Sequence, residues 1–167
     1  TKRDGNVSAD DGNEVFLVSP AGRKAQFAIN TANVQWDAEL YAKMPGDPYQ
    51  PNVGWNADWT SAVRKESNSW TAEFAIPLAI FDDHPRPGAV WRINLGRDRA
   101  GAAVELTQWN RIDGTFNVVD KFGTLEFRAD DAVLKRFVEV KVRTPFRIRR
   151  ETPQFQALLG DAPGRYI

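Results

Sequence analysis

Apolar residues alternate with polar ones in short bursts along most of this chain. In WTAEFAI, Trp70, Ala72, Phe74 and Ile76 fall on one side of an extended backbone and Thr71, Glu73 and Ala75 on the other, the period-two signature of a strand with one face on a core. The same pattern predicts strands over Glu14–Ser19, Lys24–Asn30, Asp37–Met44, Thr60–Glu66, Val90–Arg97, Val104–Trp109 and Thr124–Phe127, in addition to Trp70–Ile76. Gly, Pro, Asn and Asp separate them in PAGRK, KMPGDPYQPNVG, ESNS and RIDGT, where special dihedrals and local side-chain hydrogen bonds favour turns. Pro77 has no N–H for a ladder and so ends the strand begun at Trp70, leaving LAIFDD to form one helical turn. No stretch of the first 127 residues keeps a helical stripe for three turns. The expected fold class is therefore all-β, an antiparallel β-sandwich of the jelly-roll or immunoglobulin-like kind.

Past Phe127 the character changes. Residues 128–167 carry 9 Lys/Arg against 5 Asp/Glu, whereas residues 1–127 carry 13 against 17. A domain over 1–128 and a basic strand-or-linker extension over 129–167 are expected. Leu134, Phe137, Val138, Val140 and Val142 suit either period, which leaves a final strand and a short helix both open. RTPFRIRR has the charge to meet an anionic polymer, but a solvated strand or linker accounts for it as well. Over the whole chain 22 basic and 22 acidic side chains cancel, so no global field draws it to nucleic acid or an anionic membrane. Its 167 residues suit one domain, which at this size buries roughly 70% of its unfolded surface. No apolar run approaches the roughly 18 to 20 residues of a membrane-spanning helix, and the opening residues are polar rather than signal-like. The absence of cysteine excludes disulfides, thiol nucleophiles and Cys-ligated metals.

The chain has no G-x-S-x-G, P-loop, H-E-x-x-H or Rossmann pattern, and no catalytic residue is assigned. His84, in DDHPRPG, has no second His or Cys beside it, and with Asp82 and Asp83 reads as an exposed turn. Aromatics are plentiful: six Trp, ten Phe and three Tyr. Flat aromatic faces stacked on pyranose C–H groups, with planar hydrogen-bonding groups beside them, are how a β-sandwich holds a sugar. Trp70 and Trp91 fall on apolar sides of strands and read as core. Trp36, Trp55, Trp59 and Trp109 sit beside polar neighbours near strand ends, and Trp55 stands in GDPYQPNVGWNADW, a loop stiffened by proline.

The segments WTAEFAIPLAIF, WRINLGRDR, TQWN and KFGTLEF, in this order and spacing over residues 70–127, resemble the second half of carbohydrate-binding module family 9 and its DOMON-like relatives. The resemblance spans about residues 4–128. It implies a non-catalytic carbohydrate-binding module within a larger exported bacterial protein, polysaccharide-active or surface-attached, and so an extracellular, periplasmic or cell-surface location with an oligo- or polysaccharide as partner. By position in the family's pattern, Glu14 in NEVFL and Asn30 at the end of AQFAIN correspond to contacts with sugar hydroxyls, and Phe116 to one of two tryptophans that sandwich the sugar. The other tryptophan falls on Ser8, an Arg on Ala28 and a Gln on Gly96, so one stacking face and two donors are missing. Looser relatives carry an N-x-x-R pattern and a later Trp, here Asn94, Arg97 and Trp109. The implied binding set is Glu14, Asn30, Trp55, Arg97, Trp109 and Phe116; the structural alternative is an ion pair between Glu14 and Arg97 across the sheet. Calcium is a candidate cofactor through Asp4, Asp10, Asp11 and Glu14, which lack the fixed spacing of a calcium loop.

Family members have strands ahead of the segment matched by DDGNEVFL. The resemblance therefore implies that these strands come from a preceding segment, a second chain, or a swapped element such as residues 133–142. The alternative function is a structural or interaction β-sandwich that has lost the sugar site and packs on a partner domain or chain.

Overall fold

The computed structural model describes residues 2–44, 49–100, 105–110, 116–128 and 137–143. Its strands are, in chain order, β1 (Lys2–Arg3), β2 (Gly12–Val18), β3 (Lys24–Asn30), β4 (Val34–Tyr41), β5 (Gln50–Asn52), β6 (Thr60–Lys65), β7 (Trp70–Pro77), β8 (Val90–Arg99), β9 (Glu105–Gln108), β10 (Gly123–Glu126) and β11 (Phe137–Arg143). The helical content among the described residues is three 3-10 turns, at Val7–Ala9, Leu78–Phe81 and Val119–Lys121. The class is all-β, as the alternation predicts, and no described helix is long and apolar enough to cross a membrane. Each predicted strand is present within a few residues. The turn after Pro77 forms over Leu78–Phe81, closed by Asp82 in the left-handed region at φ 52°.

The strands form two sheets. The larger runs β1-β4-β3-β2-β8-β10, with β5 also on β4 and β9 also on β8; the smaller runs β11-β7-β6. All pairings are antiparallel except the two-residue match of β1 with β4. Tight turns fix the register. Between β2 and β3, Gly22 takes φ 86° and donates its N–H to Ser19 at 2.8 Å, a dihedral that glycine adopts without a Cβ penalty. Between β3 and β4, the Asn30 side-chain oxygen accepts from the N–H groups of Ala32 and Val34 at 3.0 and 3.1 Å, while Asn33 turns the chain at φ 55°.

Strand β2 lies between β3 and β8 and is buried on both faces, which explains why VFLV reads as an unbroken apolar run. Val15 and Leu17 point into a core shared with Phe27 and Ile29 of β3, Trp91 and Ile93 of β8, and Phe74 and Ile76 of the small sheet. Aromatic contacts run through this core: Trp59 stacks on Phe74 of β7 at 5.6 Å and meets Phe27 of β3 edge-on at 5.3 Å, and Phe81 meets Trp91 of β8 edge-on at 4.9 Å. Trp70 and Trp91 belong to this core, in agreement with the alternation.

Strand β4 inverts the expected pattern. Gln35 and Asp37 are buried and directed inward, each with partners. Gln35 Nε2 donates to Ser61 Oγ at 2.9 Å. Asp37 accepts from Ala57 N at 2.7 Å, Trp59 Nε1 at 3.1 Å and Arg3 at 3.1 Å. The alternate residues Trp36, Ala38 and Leu40 then occupy the outer face of the large sheet. Strand β5, not expected, pairs through Pro51 at the edge of β4, a position where a missing N–H costs little. Residues 137–143 form β11 and pair with Thr71–Pro77 of β7 in antiparallel register, Val140 opposite Phe74. The strand reading of that part of the tail is therefore the one realised. Residues 129–136 and 144–167, including RTPFRIRR from Thr144 on, lie outside the described residues.

A candidate sugar-binding cleft on the outer sheet face

One half of the outer face is covered and the other is open. Phe16, Val18 and Leu40 are sealed by Val119 and Phe122, with Phe116, Val118 and Tyr49 packed against the group. The opposite half carries Glu14, Gln26, Ala28 and Trp36, and these form the floor of a cleft of about 480 Å³ whose rim is the N-terminal segment with Asp4, Asn6 and Ser8. That volume is in the range of small-ligand sites, about 300 to 1,000 Å³.

Strand register sets the floor. Trp36 on β4 stands opposite Ala28 on β3, Ala28 opposite Glu14 on β2, and Glu14 opposite Gly96 on β8. The Phe116 ring lies on Gly96, so close that a Cβ at that position would be 2.9 Å from it. One transverse row thus presents an aromatic, a small residue, a carboxyl, and a second aromatic laid over a glycine. With strands about 4.8 Å apart, Trp36 and Gly96 are separated by three spacings, roughly 14 Å. Ala28 keeps the floor low on one side of Glu14, and Gly96 gives the Phe116 ring its seat on the other.

Glu14 has two polar neighbours. Gln26 Nε2 donates to its Oε2 at 2.8 Å. Asp98, two residues along β8 from the partner Gly96 and so on the same face, shares a side-chain hydrogen bond with it. Burial pushes the Glu14 carboxyl up to about 8; the charge of Asp98 and the hydrogen bond to it add to the rise, and Gln26 offsets part of it. Burial also raises Asp98, with the bond to Glu14 acting the other way. Two carboxyls this close favour holding one proton between them. Asp98 Oδ1 is buried without a hydrogen-bond partner.

The residues implied by resemblance divide between places. Glu14 and Phe116 meet on the outer face. Asn30 is buried and its side-chain oxygen is committed to the β3–β4 turn. Trp55 packs edge-on to Phe27 at 6.2 Å, against the core between the sheets. Arg97 stands opposite Asn13, one residue out of phase with Glu14 and hence on the other face. The alternative of a Glu14–Arg97 ion pair is thereby ruled out: the partners of Glu14 are Gln26 and Asp98. Trp109 packs against the main core with its ring pressed on Gly123, 2.6 Å from where a Cβ would be. Asn94 is buried and structural, donating to Gln108 at 3.0 Å and accepting from Asn110 N at 3.1 Å, which anchors β9 and the segment after it. Trp55, Trp109 and Phe116 therefore do not converge on one concavity.

Three contributors were not singled out as binding residues from the sequence: Trp36, Gln26 and Asp98. The signal for Trp36 is its phase relative to Leu40, legible once Gln35 and Asp37 are known to point inward. As for calcium, the described residues contain no group of three or more His, Cys, Asp or Glu able to hold a metal ion. Asp10 is engaged by Thr31 Oγ1 and by Asp11 N, and Asp11 accepts from Ala100 N at 2.8 Å. Comparisons of the chain with family models, with curated proteins and with solved structures return no match.

Proposed function

We propose that this chain is a non-catalytic carbohydrate-binding β-sandwich, of the kind resembling family 9 modules, and that the cleft around Glu14 is its binding site. The observation that carries this reading is the transverse row Trp36–Ala28–Glu14–Gly96 with Phe116 over its end. It offers what a pyranose needs: apolar ring faces, a carboxyl and an amide between them, and a low floor. Trp36 replaces the stacking face that the family's pattern would have put at Ser8. The two sheets sharing one aromatic core support the sandwich architecture. Glycoside hydrolysis needs two carboxyls roughly 5 to 10 Å apart with the scissile bond between them. Glu14 and Asp98 hydrogen-bond directly instead, which favours recognition over cleavage. An exported or surface setting is part of the same proposal.

A glycan array with the full chain, followed by titration of any hit, tests the reading. Trp36→Ala should weaken a genuine ligand by about 1 to 3 kcal/mol, the usual loss for a stacked aromatic anchor, with the far-UV spectrum unchanged. Hits whose affinity ignores Trp36 and Glu14 would put the site elsewhere. The second reading, a scaffold that packs on a partner domain or chain, draws support from the burial of Asn30 and the packing of Trp55 and Trp109 against the core. It would stand if no saccharide bound at millimolar concentration.

A further inference from the structure

Among the described residues the charge in the cleft has no counterweight. Asp4 stands on the rim, Glu14 on the floor and Asp98 against Glu14, and no described Lys, Arg or His lines the cleft. The described basic side chains nearby are directed elsewhere. Arg3, next to Asp4 in sequence, reaches to Asp37 and to the carbonyl of Ala57. Arg97 belongs to the opposite face, and Arg92 donates to the carbonyls of Val119 and Asp120 at the covered end. From β3 and β4 the groups facing Glu14 are the uncharged Gln26, Ala28 and Trp36. The Asp98 oxygen without a partner adds unused acceptor capacity in a partly desolvated place, where an unpaired polar atom is costly.

Resting on the sugar-binding reading, we propose that the cleft selects saccharides that bear a protonated amine over neutral and acidic ones. A sugar ammonium brings three donors and one positive charge to a pair of carboxyls that has one amide donor, from Gln26, and no cationic partner among the described residues. Trp36, at the end of the same row, adds an aromatic face, which attracts cations as well as C–H groups. Binding changes the proton count in a defined way. The carboxyl pair holds one proton in the free protein; the incoming ammonium takes its place as donor, the pair becomes doubly ionised, and that proton leaves to solvent. An N-acetylated sugar offers no charge to drive this exchange, and a uronic acid or sulfated sugar is repelled.

The experiment is calorimetric titration of the full chain near pH 6 with a glucosamine oligomer, its N-acetylated counterpart and a glucose oligomer of equal length. Each is run in two buffers of different ionisation heat. The glucosamine oligomer should bind about tenfold or more tightly than the other two, since ion pairs in partly buried sites exceed those in bulk water. Its binding should release close to one proton, and the preference should fall away in Glu14→Gln. Asp98→Asn provides the same reading should the first variant fail to fold. Equal affinity for the three oligomers, or amine binding without proton release, overturns the inference and leaves the sugar-binding reading in place. No binding by any of the three removes both.

Discussion

Asp37 is buried beside Trp59 and beneath Arg3, and its two oxygens accept from three donors contributed by β1, residue 57 and residue 59. Removing it would strand all three at once. Asp37→Ala is expected to cost about 3 to 5 kcal/mol, as for breaking a buried ion pair from one side, and the urea midpoint measures it. Glu14 behaves differently because its proton, not its charge, suits the folded state. Its folded value near 8 exceeds the ordinary 4.5, so the folded chain holds a proton that the unfolded chain releases. The stability this confers is fully present below the ordinary value and is lost as pH rises toward 8, at no more than about 1.4 kcal/mol per pH unit for one proton. Melting temperatures of wild type and Glu14→Gln across pH 4.5 to 8.5 check this, the variant giving the flatter line. A wild-type melting temperature that climbs over this range relative to the variant would contradict the assignment.

Among the elements, two strands depend on glycine for space rather than for dihedral freedom. Gly96 in β8 lies under Phe116, and Gly123 in β10 lies under Trp109. Alanine at either would meet a ring, but with different consequences. Phe116 is half-buried and packs edge-on to Phe16 at the edge of the smaller cluster, so Gly96→Ala should displace its ring, cost less stability than a change in the main core, and weaken ligand binding about tenfold. Trp109 is packed against the main core, so Gly123→Ala should destabilise by about 1 to 3 kcal/mol, as overpacking does. Paired thermal melts and ligand titrations separate the two outcomes. The elements themselves were largely legible in the sequence, because β2, β3, β7 and β8 alternate cleanly or read as apolar runs, and Pro77 marks its own strand end. The site was legible only in part. Of the implied set, Glu14 and Phe116 share the outer face, whereas Asn30 is taken up by the β3–β4 turn, Trp109 packs against the main core, and Arg97 falls on the other face by register, a one-residue matter that exchanges the two sides of a sheet. Trp36 was obscured because buried Gln35 and Asp37 reverse the usual inside and outside of β4.

At the scale of the molecule, β11 gives the small sheet its third strand, in register with β7 over its whole length. Without it β6 and β7 form a two-stranded hairpin, which is marginal alone, and the β7 edge lies open to pairing with another chain. A chain truncated after Arg128 is expected to lose several degrees of melting temperature and to associate with rising concentration, as sedimentation would show. An unchanged melting temperature and a monomer at high concentration would assign β11 no role in stability. The place of β2 has a further consequence. Its two neighbours are β3, which follows at once, and β8, whose residues 92–98 pair with residues 12–18. During synthesis VFLV must therefore wait, one edge paired and one edge bare, while the intervening chain is made. Such sequence-distant pairing places the domain among slow folders, milliseconds to seconds rather than microseconds, and makes that bare edge the place where a nascent chain is most exposed to the wrong partner.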